Sequence, residues 1–182
     1  MHLSYTIDQD AIWLLGPWYR ITKKGYQIME CSFLDGPVES LDTDCIVAPV
    51  ALVVGKKKPY AFLSAAMAID EASNGFLTKI LKSGDFRAEC GKTFLIRSVD
   101  GVKSPRILLV GLGPLNDITD QSFIKAIKSV AAAVFPLPIK RLTCCFFDVV
   151  VAKHNATWKI KQIAEKMIVG GYQFDRFKTK KA

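Results

Sequence analysis

The segment that most constrains the fold is residues 106–112, RILLVGL, which is apolar throughout after Arg106 and runs into Gly113-Pro114. A strand with one solvated face alternates apolar and polar side chains. An unbroken apolar run belongs to a strand covered on both faces. Such a strand needs a layer of structure above it and another below, and the flanking sequence supplies them. Phe62, Leu63, Ala66, Ile69 and Ala72 have helical spacing within 60–72, and Ser73-Asn74-Gly75 stops that segment. Phe76, Leu77, Ile80 and Leu81 form a second short amphipathic helix. A third begins near Asp120, places Phe123, Ile127, Val130, Ala131 and Val134 on one face, and ends before Pro136 and Pro138. Asn155 is the expected N-cap of a fourth, with Trp158, Ile160, Ile163, Ala164, Met167 and Ile168 as its apolar stripe and Gly170-Gly171 as its stop.

Strand patterns alternate with these helices. They fall at 26–33 (YQIMECSF), 45–54 (CIVAPVALVV), 93–97 (TFLIR), 106–112 and 142–151 (LTCCFFDVVV). A hairpin-like link around Asp100-Gly101 joins the third to the fourth. This alternation predicts an α/β protein with a mixed or largely parallel sheet between helices, a three-layer α/β/α architecture. Residues 1–25 fit the pattern less well. Trp13, Trp18 and Tyr19 around Gly16-Pro17 suggest a hairpin in 12–19.

At 182 residues, 50% of them hydrophobic, the chain is long enough for one self-sufficient core and too apolar for a disordered segment. No apolar run approaches the ~18 residues that span a bilayer. The start Met1-His2-Leu3-Ser4-Tyr5 lacks a basic region followed by an apolar one, so a secretory signal is not expected. Five cysteines without C-x-x-C spacing indicate neither a disulfide framework nor a zinc site, and suit a reducing compartment. Cys144 and Cys145 are neighbours in an apolar run, so they should point to opposite faces of a strand.

The net charge is +8, unevenly placed. Residues 1–50 hold three basic side chains against seven acidic, whereas the remainder holds 22 against 10. A basic body attracts nucleic acid through a summed field that does not depend on base sequence. Lys56, Lys57 and Lys58 are the densest cluster and the candidate nucleic-acid contacts; Arg176, Lys178, Lys180 and Lys181 form a second group. Solvated surface is the plainer reading of both.

The polar chemistry is sparse. Of the two histidines, His2 is terminal and His154 stands alone, and no H-E-x-x-H is present. Asp42/Asp44 and Asp70/Glu71 are the nearest carboxylate pairs, but turn-forming acids and an exposed helix face account for them. G-x-S-x-G is absent. Gly111-Leu112-Gly113 ends a strand before a helix, where backbone amides can receive a phosphate, so Gly111 and Gly113 are the candidate phosphate-binding turn. The dinucleotide fingerprint is incomplete there, because Asn116 stands where its third glycine belongs. No catalytic residue and no metal ligand is nominated from these patterns.

Four stretches in order carry a family resemblance: Gly84-Asp85-Phe86; Gly91-Lys92-Thr93-Phe94-Leu95-Ile96; 106–113, RILLVGLG; and 171–180, GYQFDRFKTK. They resemble the N-terminal domain of the leucine aminopeptidases, or cytosol aminopeptidases, from about Asp44 to Lys181. The resemblance implies a macrodomain-like fold over 26–175, preceded by an N-terminal extension of 1–25 and followed by an interdomain linker beginning at 176–182. It implies a cytoplasmic parent enzyme that removes N-terminal residues from peptides. Its catalytic domain would hold two divalent metals, manganese or zinc, and an N-T-D-A-E-G-R motif that does not occur in these 182 residues. The chain is then expected to be a fragment or excised domain, non-catalytic by itself. Its expected partners are its own catalytic domain and the subunits of a homo-hexamer. Some bacterial members also bind DNA. Two alternatives are a basic nucleic-acid-binding module and a nucleotide- or ADP-ribose-binding macro-like domain.

Overall fold

Two parallel strands lie at the centre of the molecule, β3 (Cys45–Leu52) and β6 (Arg106–Pro114), paired from Ile46↔Ile107 onward. The computed structural model describes residues 2–8, 28–34, 36–53, 55 and 59–177. Within them the other strands are β1 (His2–Asp8), β2 (Ile28–Leu34), β4 (Tyr60–Phe62), β5 (Thr93–Arg97) and β7 (Arg141–Cys144). The helices are α1 (Ser64–Ala72), α2 (Phe76–Ser83), α3 (Asp120–Val134) and α4 (Ala156–Phe177). One mixed sheet has the order β2-β1-β7-β3-β6-β5, with β4 added to β3. β7, β3 and β6 are parallel, and every other pairing is antiparallel.

Period-two alternation divides the central strands between two cores. Cys45, Val47, Ala51, Leu108, Val110 and Leu112 face α3 and α4, where Phe123, Ile127, Val130, Ile163 and Met167 cover them. Ile46, Ala48, Val50, Ile107 and Leu109 face α1 and α2, against Ala65, Ala66, Ile69, Leu77 and Leu81. The expected α/β/α layering is the observed one. Cys144 and Cys145 lie in opposite cores, both buried.

Pro49 interrupts β3, although a proline lacks the N–H that an interior strand position donates. The register explains why it fits there. β7 pairs only with Cys45–Val47, and β4 pairs only with Val50–Leu52. Pro49 sits in the gap between these two neighbours, at a position where no ladder bond is lost.

Three expectations change. The helix expected over 60–72 starts only at Ser64, because Tyr60–Phe62 serves the exposed flank of β3 as β4. The strand expected over 142–151 ends at Cys144. After the Cys145 N–H donates to the Val47 carbonyl at 3.1 Å, the chain leaves the sheet, and Phe146, Val149 and Val151 enter the core as loop residues. An apolar run reports burial, and a buried loop satisfies it as well as a strand. Within the poorly assigned 1–25 extension, His2–Asp8 is a strand between β2 and β7. The 12–19 hairpin and residues 178–182 of the expected linker lie outside the described residues.

Gly170-Gly171 does not stop α4, which continues to Phe177. A Cβ on Gly170 would stand 2.7 Å from the Ala131 Cβ, and one on Gly171 2.9 Å from the Phe135 ring. The two glycines let α4 approach α3 closely, and this packing offsets their poor helix propensity. Gly170→Val should therefore destabilise the fold by about 1–3 kcal/mol through overpacking, read as a lower midpoint in urea. An opposite effect is expected in β7. The Thr143 hydroxyl is fully buried and has no hydrogen-bond partner among the described residues. The isosteric Thr143→Val should raise stability by about 1 kcal/mol in the same measurement.

Candidate functional site

In open α/β sheets, ligands bind outside the carboxyl ends of the parallel strands, near the point where strand order reverses. Here that edge is formed by the ends of β3, β6 and β7, with order reversing about β3. The segment 145–155 rises from β7 along it. Asp148, on this segment, accepts hydrogen bonds at Oδ2 from the Ser64 N–H (2.7 Å) and Oγ–H (2.6 Å) at the start of α1. Lys159 of α4 donates from Nζ to the Val149 carbonyl at 2.9 Å and also to the Phe147 carbonyl. Its ammonium lies 5.4 Å from the Phe147 ring centroid. Burial pushes the Lys159 amine below its usual range, and the Asp148 charge opposes that shift.

Beside this segment the starts of α3 and α4 are pinned together. Asn155 caps α4 by accepting the Trp158 N–H at 3.0 Å, as expected, and Thr119 caps α3 by accepting the Ser122 N–H. His154 pairs with Asp120 at 2.8 Å and stacks on Trp158, with ring centroids 3.8 Å apart. Trp158 continues through Phe123 to the edge of the Phe146 ring. In the sequence His154 stands alone, because its partners lie on α3 and one turn into α4.

Of the residues nominated from sequence, Gly111 and Gly113 fall within the described structure. The Gly111 N–H donates to the Lys92 carbonyl at 2.8 Å, and the Gly113 N–H to Ala88 at 3.0 Å. A Cβ on Gly111 would fall 2.1 Å from the Glu89 carbonyl oxygen, so this glycine admits a crossing backbone. Both amides that a phosphate would use are thus already donated. Lys56, Lys57 and Lys58 lie outside the described residues.

Asp42, Asp44 and Asp70, from the two nearest carboxylate pairs, each have a structural partner. Asp42 accepts from Arg141 Nη1 at 2.8 Å, and Asp44 accepts the N–H groups of Lys140 and Arg141. Asp70 accepts the N–H and hydroxyl of Thr78 and so fixes α2 against α1. Among the described residues no three His, Cys, Asp or Glu converge into a group that could hold a metal. Their donor set does not fit the two divalent metals that the resemblance implies for the parent. Burial pushes the Cys45 thiol up to about 12 and raises that of Cys145, which leaves both as protonated packing groups.

Among solved structures, the fold matches the macrodomain of Mycobacterium tuberculosis DarG at a TM-score of 0.50 and 15% identity, covering 79% of this chain and 91% of that one. It matches a mutant of tomato leucine aminopeptidase at a TM-score of 0.55 and 19% identity, covering 82% of this chain and 29% of that one. At such identities the likeness is one of fold, and it defines a macrodomain-like α/β domain. The family model for the N-terminal domain of the cytosol aminopeptidase family matches residues 53–181, and the chain belongs to that family. A probable cytosol aminopeptidase of Methylobacillus flagellatus is 36% identical over 154 residues, which are 85% of this chain and 30% of that protein. The Haemophilus ducreyi counterpart is 30% identical over the same shares. The chain thus spans about 30% of the length of these relatives. Among the described residues no helix is long and apolar enough to cross a membrane.

The Asp42–Arg141 pair gives a pH prediction. The Arg141 hydrogen bond, then its charge and that of Lys103, hold the Asp42 carboxyl below its ordinary value. A carboxylate depressed on folding contributes stability above its unfolded pKa of about 3.9, and that contribution is lost as pH falls through the folded value. An NMR titration should place the Asp42 midpoint below the model-peptide value, and Arg141→Gln should move it back up.

Proposed function

We propose that this chain is the non-catalytic N-terminal domain of a metal-dependent leucyl aminopeptidase that works in the cytoplasm, where it contributes to assembly or partner binding. The observation that carries this reading is the family match over 53–181, together with relatives of which the matched residues make up only 30%. The reading is supported by the domain's own acids, since Asp42, Asp44 and Asp70 are engaged in turns and helix ends. The two divalent metals, manganese or zinc, and the chemistry of peptide hydrolysis would belong to the catalytic domain of the parent. So would most contacts of a homo-hexamer. The purified 182-residue chain should release no p-nitroaniline from leucine-p-nitroanilide with Mn2+ or Zn2+ present. Turnover above the metal-only blank would sink the reading.

A second reading, nucleic-acid binding, draws on the excess of 22 basic over 10 acidic side chains beyond residue 50. It predicts duplex DNA binding that weakens steeply with salt, because counterion release drives it. Replacing Lys56, Lys57 and Lys58 with Glu should flatten the salt dependence. An absence of binding at low salt removes this reading. A nucleotide-binding role has less support, since the Gly111 and Gly113 amides are already donated. ADP-ribose is expected to leave the thermal midpoint unchanged.

A further inference from the structure

The segment after β7 touches helices on opposite faces of the sheet, through two charged residues that the proposed function does not use. On one face, α1 begins at Ser64 after Leu63, whose side chain offers no cap. Asp148 fills that role from 84 residues away, accepting both the N–H and the hydroxyl of Ser64. On the other face, Lys159 of α4 holds the carbonyls of Phe147 and Val149, the residues on either side of Asp148. A carboxylate is aimed by its backbone. Here one ammonium fixes the peptide before Asp148 through the Phe147 carbonyl and the peptide after Val149 through the Val149 carbonyl. The Val149 N–H donates to the Phe146 carbonyl at 3.2 Å. Phe146, Val149 and Val151 anchor the segment in the core beneath α3 and α4, whereas Cys145 reaches the core beneath α1 and α2.

We propose that residues 146–151 form a strap that couples the two helical layers across the carboxyl edge of the sheet, with Lys159 as the positioning residue that holds Asp148 on the start of α1. A displacement of α4 releases the Phe147 and Val149 carbonyls, Asp148 loses its aim, and α1 loses its cap. The reverse path runs from α1 to α4 through the same bonds. Phe147 and Val150 present exposed side chains on the strap, at 46% and 80% of full exposure.

The test is amide hydrogen exchange, followed by NMR on the whole chain, with the Ser64 N–H read against the Leu108 N–H in the central strand. Lys159 does not touch Ser64. Even so, Lys159→Met should accelerate Ser64 exchange about tenfold relative to Leu108, the loss expected for one charge-assisted hydrogen bond. Lys159→Arg, which can still donate to two carbonyls, should restore most of the protection. Asp148→Asn should accelerate Ser64 as well, and adding Lys159→Met to it should accelerate Ser64 little further. An unchanged ratio of Ser64 to Leu108 in Lys159→Met would overturn the coupling, including the case where every amide speeds up equally. Fully multiplicative effects in the double variant would overturn it too. If Lys159→Met does not fold, Lys159→Gln carries the same comparison.

Discussion

Burial of β3 and β6 on both faces is the constraint from which the remaining structure follows. A strand that shows no side chain to water forces the chain to build two cores, and alternation assigns each residue to one of them. Cys45, Val47, Leu108 and Val110 go to the α3–α4 side, and Ile46, Ala48, Ile107 and Leu109 to the α1–α2 side. The central strands also fix where irregularity is tolerated. Pro49 lies in the one stretch of β3 between the partners β7 and β4. Gly111 stands where the next side chain on the α1–α2 side would fall, and the backbone of Ala88 and Glu89 crosses there instead.

The carboxyl edge of the parallel strands is where proteins of this topology place ligands. In this chain much of the edge is taken by the protein's own groups. Asp148 sits on the start of α1, Lys159 holds the carbonyls around it, and His154 closes an aromatic row at the start of α4. The Gly111 and Gly113 amides serve the backbone pairing of 88–92. The same economy applies to the acids, which cap turns and helices instead of converging. Such an arrangement suits the non-catalytic role proposed above, in a chain that spans about 30% of the length of its relatives.

Much of the layering was legible in the sequence, because period-two and period-3.6 patterns are local consequences of which faces are covered. α2, α3, β5 and β6 appear close to where the patterns put them, and the Asn155 cap was visible as a side-chain type at a helix start. The misreadings share a cause. In 142–151 and 60–72 an apolar run announced burial without saying which backbone would carry it. At Gly170-Gly171 a signal for a helix end was in truth a signal for a close neighbour, Phe135, 35 residues away. The candidate site was less legible still, since Asp148 and Ser64, or His154 and Asp120, are far apart in sequence and ordinary in type.

By itself, then, the sequence determined that strands alternate with helices, that the central strands are covered twice, that neighbouring cysteines enter different cores, and which family the motifs resemble. Each of these depends on side-chain periodicity or on short motifs. Only the tertiary structure decided that His2–Asp8 enters the sheet, that β3 keeps its proline between two partners, and that the glycines at 111, 170 and 171 are points of contact. It alone joined Asp148 to Ser64 and Lys159. Such pairings depend on the strand order β7-β3-β6 and on which helix covers which face. No local pattern encodes that order, because it is settled when all the layers are packed at once.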